Sequence, residues 1–574
     1  MLPDVTGLDK RFDYLVPDGM AVSIGDVVRV PLHGRRVTGW VVDLDPDDEA
    51  VDPSKLQPLV AVVSAGPAPH IIELAEWASI RWAAGRLRPF LVTASPSVRV
   101  RSLPAANRSA RQLVGPGPVG RAAGDLMDSG GGTLVLPPAV SPVEAIAAAA
   151  ARGPALVVVP SVVRAGAMAA ALRRRGLSVA VVPKQWANAA AGVDVVIGAR
   201  AAAWAPCPGL SAVVVIDEHD EGQQEERAPT WHARDVLVER ARRAGAVVLL
   251  TSPSPTVAGV DALAGRMGHV DAATSRSGWP IIDVIDRSDE EPWKTSLVTS
   301  ALIRHLRDAD HTVVCVLNAT GRARILACRA CKSLARCERC DAAVSLADDA
   351  TLVCPRCAAV RNRVCLSCGG SSFANLRPGV TRLREELEAA AGRPVVAVTG
   401  RDDGPPEASG VYVGTEAVLH RVPRADVVAF LDIDRELLAP RYRASELTMA
   451  LIAKAARLLG PRQRGGRLLL QTFLPDHAVL RAAVLADPAR LLDPEREHRR
   501  LLSLPPSTAL AAVSGTGRDA LADALRAGGR ADVGTSGEDY LVRSPDWTTL
   551  GEALIAAKRE SGSKARIVVD PPRV

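Results

Sequence analysis

Between Thr133 and Ser252 the chain reads TLVLP (133–137), ALVVVP (155–160), LSVAVVP (177–183), VDVVIG (193–198), AVVVID (212–217) and AVVLLTS (246–252). Stretches of helical composition, rich in Ala and Arg, lie between them at 143–151, 162–175 and 232–243. A strand with one wet face alternates apolar and polar residues. These runs do not alternate, so both faces are covered, and the intervening helices supply the cover. The pattern predicts a parallel sheet with helices on both sides. It recurs with helix 296–308, HTVVCVL (311–317), helix 381–391, PVVAV (394–398), GVYVG (410–414), DVVAFLD (426–432), helix 443–459 and RLLLQTF (467–473). The chain therefore carries two α/β lobes in tandem.

Outside the lobes the period changes. Residues 4–45 read as short strands, RFDYLV, DVVRVPL and RRVTGWVVDL, separated by turn signals at 17–19 and 33–35. This is the pattern of a small β-barrel or sandwich, followed by a helix over 71–84. Segments 95–132 and 277–295 are rich in breakers or charges and read as linkers. From 481 the expectation is an α+β domain with helices 517–527 and 548–559 and strands YLVRS and ARIVVD. The fold class is multidomain α/β. The expected divisions are a small N-terminal domain (1–95), a linker (96–132), lobe one (133–280), lobe two (281–480) and a C-terminal domain (481–574).

Lobe two is interrupted, after its first expected strand, by CRAC (328–331), CERC (337–340), CPRC (354–357) and CLSC (365–368), which hold eight of the ten cysteines. A C-x-x-C turn presents two thiolates to one side of a metal ion, and two such turns complete a tetrahedral shell. Four of them predict two closed, structural zinc sites with no open position for a substrate. No histidine lies between the first and last turn, which favours all-thiolate shells. Three pairings of the four turns are possible, and spacing does not choose among them. The five-residue link Lys332–Arg336 makes it awkward for the first two to share an ion.

The 574 residues carry a net charge of +6 and are 48% hydrophobic and 23% charged, a soluble composition that permits contact with nucleic acid without requiring it. There is no apolar run of about 20 residues and no signal-peptide pattern at the start. A cytoplasmic protein without membrane contact is expected.

Tandem α/β lobes suggest a nucleotide-driven motor, which needs a G-x-x-x-x-G-K-[ST] loop after its first strand. Here that place reads TLVLPPAVSPVEAI (133–146), and no Gly-Lys pair occurs anywhere in the chain. Pro137, Pro138 and Pro142 have no N–H to offer a phosphate. Gly115-Pro-Gly-Pro-Val-Gly120 matches G-x-G-x-x-G, but it lies in a linker and no helix clearly follows. Asp217 and Glu218 close the strand AVVVI, where a motor would hold Mg²⁺. Without the lysine loop they read as a degenerate nucleotide site. Arg457 is the nearest candidate for an arginine finger in its helix.

These pieces together resemble the PriA family, the primosomal proteins that restart replication forks. RFDYLVPDG with VVRVPLHGR resembles its N-terminal 3′-end-binding domain. VVIGARAAAWAPCP (195–208), VIDEHDEGQQEERAPTWHARD (215–235), LNATGRARILACRAC (317–331) and DPEREHRRLLSLPPST (493–508) resemble further family motifs, and the eight cysteines fall at the family's spacing. The departures fall on the motor. The G-S-G-K-T loop is gone, L-G-S-A-T-P is LLTSPSP (249–255), G-T-Q-M-L-A-K-G-H is GTEAVLHRV (414–422), and Q-V-A-G-R-A-G-R is KAARLLGP (454–461). The segment near 100–130, where the family has a winged helix, is too short for a complete one, so 96–132 reads as a linker or a remnant of that domain. A strand usually precedes LDKRFDY, which points to a start upstream of Met1.

The resemblance implies a nested cysteine pairing. Cys328, Cys331, Cys365 and Cys368 would form the outer zinc site, and Cys337, Cys340, Cys354 and Cys357 the inner one. It also implies a pocket for a DNA 3′ end built on Phe12, Asp13 and Gly34. The family's pocket lysine falls at Gln57, with Lys55 two residues away. The expected function is replication restart without unwinding. The chain would recognise forked or branched DNA with a 3′ end and recruit primosome proteins, the helicase-loading machinery and single-stranded-DNA-binding protein. The alternative is an active ATP-dependent 3′-to-5′ helicase with an atypical nucleotide site.

Overall fold

The computed structural model describes all residues except 45–55, 110–116, 290–296, 318–325, 332, 348–350, 376–379, 399–405 and 574. Lobe one is a seven-stranded sheet. Its strands lie in the order Met267–His269, Gly132–Val135, Val247–Ser252, Ala212–Ile216, Ala155–Val158, Val195–Gly198 and Val179–Val181. Every neighbouring pair is parallel. The strand Ala212–Ile216 is buried at all five positions, as the unalternating apolar run requires. Strand order reverses beside Gly132–Val135. The C-terminal ends of that strand, of Val247–Ser252 and of Ala212–Ile216 therefore open side by side, where α/β sheets place their crevice.

Lobe two is a six-stranded sheet in the order Ile281–Asp286, Arg467–Thr472, Val427–Phe430, Val313–Val316, Val411–Gly414 and Val395–Val398, again all parallel. Ile281–Asp286 lies inside the stretch expected to be a linker. Each of its residues is only half-buried, because it is an edge strand paired on one side alone, and its two aspartates hide the strand signal. The cysteine stretch thus follows the second strand of this lobe, not the first.

The other expected linker also holds structure. Pro118–Asp128 is a helix that begins inside the G-x-G-x-x-G lookalike, so a helix does follow it. Proline suits the first helical turn, and Val119, Ala123, Leu126 and Met127 join the core of lobe one. Gly117, in extended backbone, caps this helix.

At the N-terminus four strands form an antiparallel sheet in the order Leu2–Pro3, Arg35–Trp40, Val27–Leu32 and Ala61–Ser64. RFDYLV is not a strand of it. Phe12 exchanges backbone bonds with Met1, and Leu15 with Gln57 and Leu59, so its partners change along its length and no ladder forms. The C-terminal sheet runs Asp532–Ser536, Asp539–Ser544, Ala509–Ser514 and Arg566–Val569, all antiparallel. Its helix Trp547–Ser561 lies on the N-terminal helix Pro69–Arg81, so close that a side chain at Gly551 would strike the Ile80 carbonyl at 1.9 Å. One hydrophobic core runs from the N-terminal helices through one face of lobe one into this C-terminal sheet.

Candidate metal centres and interlobe cleft

The cysteine stretch folds as two small antiparallel sheets. Leu326–Cys328 pairs with Phe373–Asn375 where the chain enters and leaves. Between them Ser345–Leu346, Thr351–Val353 and Val360–Asn362 form a meander. This places the first turn beside the last and the second beside the third. The Sγ atoms of Cys328 and Cys368 lie 3.6 Å apart, and those of Cys331 and Cys365 3.5 Å apart. Cys337–Cys357 and Cys340–Cys354 are both at 3.5 Å. Within each foursome all sulfurs lie within 4.8 Å of one another. A tetrahedral zinc shell with Zn–S near 2.3 Å has sulfur–sulfur edges of about 3.8 Å, so both foursomes fit one ion each.

Each foursome mixes raised and lowered thiols: Cys340 is raised by its bond to Cys354 and by burial, Cys357 by burial, and Cys368, despite the Gly370 N–H, by Cys331 and Cys328. Backbone N–H groups of Cys331 and Ala330 lower the Cys328 thiol, and Ser333 brings Cys331 down to about 6. Cys340, with help from the N–H groups of Cys357 and Arg356, brings Cys354 down to about 5. The two remaining cysteines, Cys207 and Cys315, are buried far from this chemistry, and burial raises the Cys207 thiol to about 11 and the Cys315 thiol to about 12. The outer surface of the stretch exposes Val360 (65%) and Leu366 (58%), apolar side chains that no core requires.

In the cleft, the loop after Gly132–Val135 has little left for a phosphate. Pro137, Pro138 and Pro142 lack N–H groups. The Ala139 N–H goes to the Gly278 carbonyl at 3.1 Å and that of Val140 to Pro137 at 3.0 Å. The following helix, Val143–Ala150, carries Glu144 in its first turn, a negative charge where an anion would dock.

Asp217 is 3% exposed and sits at φ +52°, a left-handed backbone that costs a non-glycine residue strain. Its carboxylate is taken from both lobes. Arg457 donates to Oδ1 at 2.8 Å, and Arg164, from the helix after the second strand of lobe one, bonds Oδ2. Arg457 also donates to the Pro138 carbonyl at 3.0 Å. Burial alone would raise Asp217, but Arg457 and Arg164 hold it well below the usual carboxylate range. Glu218 turns the other way. It is 1% exposed, accepts the Thr256 N–H at 2.8 Å and pairs with Arg234 at 3.2 Å. Burial raises it despite Arg234. The two acidic residues expected at a nucleotide site are thus both bonded within the chain. His219 bonds Ser252 at 2.8 Å, and His232 caps the helix Ala233–Ala244 by accepting the Arg234 N–H.

The residues expected to hold a DNA end lie in the N-terminal domain, Gly34 exposed at a hairpin tip. His33 (φ +48°) and Gly34 (φ +75°) form a tight hairpin tip between Val27–Leu32 and Arg35–Trp40. Two left-handed residues match the twist of a hairpin. Tyr14 donates to the Pro31 carbonyl at 2.8 Å, which draws the Phe12-Asp13-Tyr14 segment beside the strand leading to Gly34. Phe12 and Asp13 are half-buried. Phe12 is therefore neither a core residue nor a free one, and the Lys10 ammonium lies 5.8 Å from its ring centre. Gln57 is tied to Leu15 through its carbonyl, and Lys55 lies outside the described residues. Arg164 and Arg234 were not singled out in the sequence. Arg164 sits on a helix with no motif around it, and only the fold brings it to Asp217; Arg234 lies in the motif-like stretch 215–235, but nothing there marked it as the partner of Glu218.

Among the described residues no helix is long and apolar enough to cross a membrane. Residues 2–87 match the sequence profile of the PriA 3′ DNA-binding domain. The chain is 30% identical over 97% of its length, and 94% of the relative's, to the probable replication restart protein PriA of Mycobacterium leprae. It is 25% identical to the replication restart protein PriA of Haemophilus influenzae, over 58% of this chain and 49% of that one. The chain therefore spans about half the length of that second relative. Among solved structures, RecG bound to a three-way DNA junction superposes with a TM-score of 0.38 at 10% identity, covering 74% of this chain and 52% of that one.

Proposed function

Because the chain belongs to the PriA family of replication restart proteins, we propose that it acts at stalled or branched replication forks as an assembly platform that does not unwind DNA. It binds forked DNA presenting a 3′ strand end and recruits primosome components that reload the replicative helicase. The observation that carries this reading is the contrast between two regions of one molecule. Both cysteine foursomes are complete and fit zinc, whereas the loop and the acids of the nucleotide cleft are bonded to the chain itself.

Two zinc ions would brace the cysteine stretch, held by Cys328, Cys331, Cys365 and Cys368 and by Cys337, Cys340, Cys354 and Cys357. The exposed Val360 and Leu366 on that stretch suit docking of a protein partner. Single-stranded-DNA-binding protein and the helicase-loading proteins are the partners this role calls for. At the N-terminal sheet, Phe12 would stack on a terminal base, Asp13 would accept the 3′ hydroxyl, and Gly34 would leave room at the hairpin tip. The remaining grip on the fork would come from phosphate contacts, insensitive to sequence.

The test is DNA-stimulated ATP hydrolysis and strand separation on forked DNA, alongside loading of the replicative helicase onto the same fork. Loading without hydrolysis is expected. Hydrolysis that survives purification and vanishes in Asp217→Ala would establish the rival, an ATP-driven helicase. Absence of loading with all primosome proteins present would remove the recruiting role.

A further inference from the structure

We propose that Asp217 and Arg457 form a latch between the two lobes, the chain's own carboxylate standing where a nucleotide phosphate would bridge them, so that the cleft stays closed whether or not nucleotide is present. In a motor of this architecture, lobe two reaches across the cleft with a guanidinium toward a phosphate held by lobe one, and the lobes close and open with that ligand. Here Arg457 crosses the same cleft and meets Asp217 at 2.8 Å and the Pro138 carbonyl at 3.0 Å. The second oxygen of Asp217 is held by Arg164 of its own lobe. A carboxylate between two guanidiniums has the charge pattern of a bound phosphate oxygen. Its burial at 3% exposure keeps water from screening the attraction.

Further ties point the same way. Glu446, in the helix of Arg457, accepts the Val257 N–H of lobe one at 2.8 Å. The Ala139 N–H reaches Gly278 at the junction of the lobes. The C-terminal tail straps both sides. Asp570 bonds Arg443 of lobe two at 2.5 Å and, through its carbonyl, Gln224 of lobe one at 3.1 Å. Arg573 then pairs with Glu221 of lobe one at 2.7 Å. The latch is separate from any role at a fork: it stands or falls on the distance between the lobes.

The test is single-molecule energy transfer in the full-length, zinc-loaded chain, with dyes on unnatural amino acids at the exposed positions Arg174 and Arg424, which leaves the cysteines untouched. Wild type is expected in one high-transfer population that neither ATP nor a non-hydrolysable analogue shifts. Arg457→Ala is expected to lose most of that population while keeping two zinc ions per chain. Arg457→Lys retains part of it, and the exposed neighbour Arg462→Ala keeps it whole. A wild type that is open, or that closes only on adding nucleotide, overturns the latch. So does an Arg457→Ala chain as closed as wild type.

Discussion

Arg499 forms an ion pair with Glu446 at 2.7 Å with its own side chain fully buried. Glu446 passes the contact on to the Val257 N–H, and Glu495 holds the other side of the guanidinium at 2.9 Å. One arginine from the C-terminal region thereby fixes a lobe-two helix that is itself bonded to lobe one. A buried ion pair is poor evidence of net stability, but removing one partner strands the other. Arg499→Ala is expected to lower unfolding free energy by about 3 kcal/mol, read from denaturant melts. Arg499→Met, which keeps the packing, should cost less. Equal losses would mean that the charge is irrelevant.

The nested cysteine groups predict a metal count. Wild type should carry two zinc ions per chain by elemental analysis. Cys331→Ser should retain only the inner ion. Cys207→Ser and Cys315→Ser should retain both, because those thiols are buried elsewhere. Loss of both ions in Cys331→Ser would mean that the shells are not independent.

His232 makes stability depend on pH. Its Nδ1 accepts the Arg234 N–H, which requires a ring unprotonated at that atom, and burial, with Arg234 beside it, lowers the imidazolium to about 3. The unfolded chain titrates near 6.5, so below that pH it binds a proton that the folded chain refuses. The contribution is whole above about 6.5 and is lost as pH falls toward 3, by at most about 1.4 kcal/mol per unit. His232→Asn, which can still cap the helix, should flatten the acid limb of the stability profile measured by urea titration. An unchanged slope would assign the acid sensitivity elsewhere.

At the hairpin tip, Gly34→Val forces a branched side chain into φ +75° and should destabilise the N-terminal sheet by about 1–2 kcal/mol. Asp13→Ala should leave stability alone and weaken binding of a recessed 3′ hydroxyl by about fivefold, one hydrogen bond's worth. A 3′-phosphate end should bind both proteins alike. The readout is fluorescence anisotropy on paired forks. Equal weakening on both ends would assign Asp13 to folding.

The lobes were legible because strands buried on both faces leave uninterrupted apolar runs. The elements that escaped are those whose burial is partial. Ile281–Asp286 lies at a sheet edge with charges in it, and Pro118–Asp128 mixes glycine and arginine with its few core residues. The thiolate turns announced themselves by spacing, but which turns share an ion depends on the antiparallel closure of Leu326–Cys328 on Phe373–Asn375, a contact across more than forty residues that spacing does not encode. Arg457 could be noted as the one guanidinium in its helix. Arg164 could not, because it lies 53 residues from Asp217 with nothing local to mark it.

The nesting of the cysteine groups has a consequence for biosynthesis. The inner four ligands are all present once Cys357 has left the ribosome, while the outer shell waits for Cys368. The inner group can therefore capture its ion first and bring the entering and leaving strands together. The outer group then closes a loop already shortened, with less chain entropy to lose. The molecule would mature from the inside outward, and a cell short of zinc would accumulate chains filled at the inner site alone.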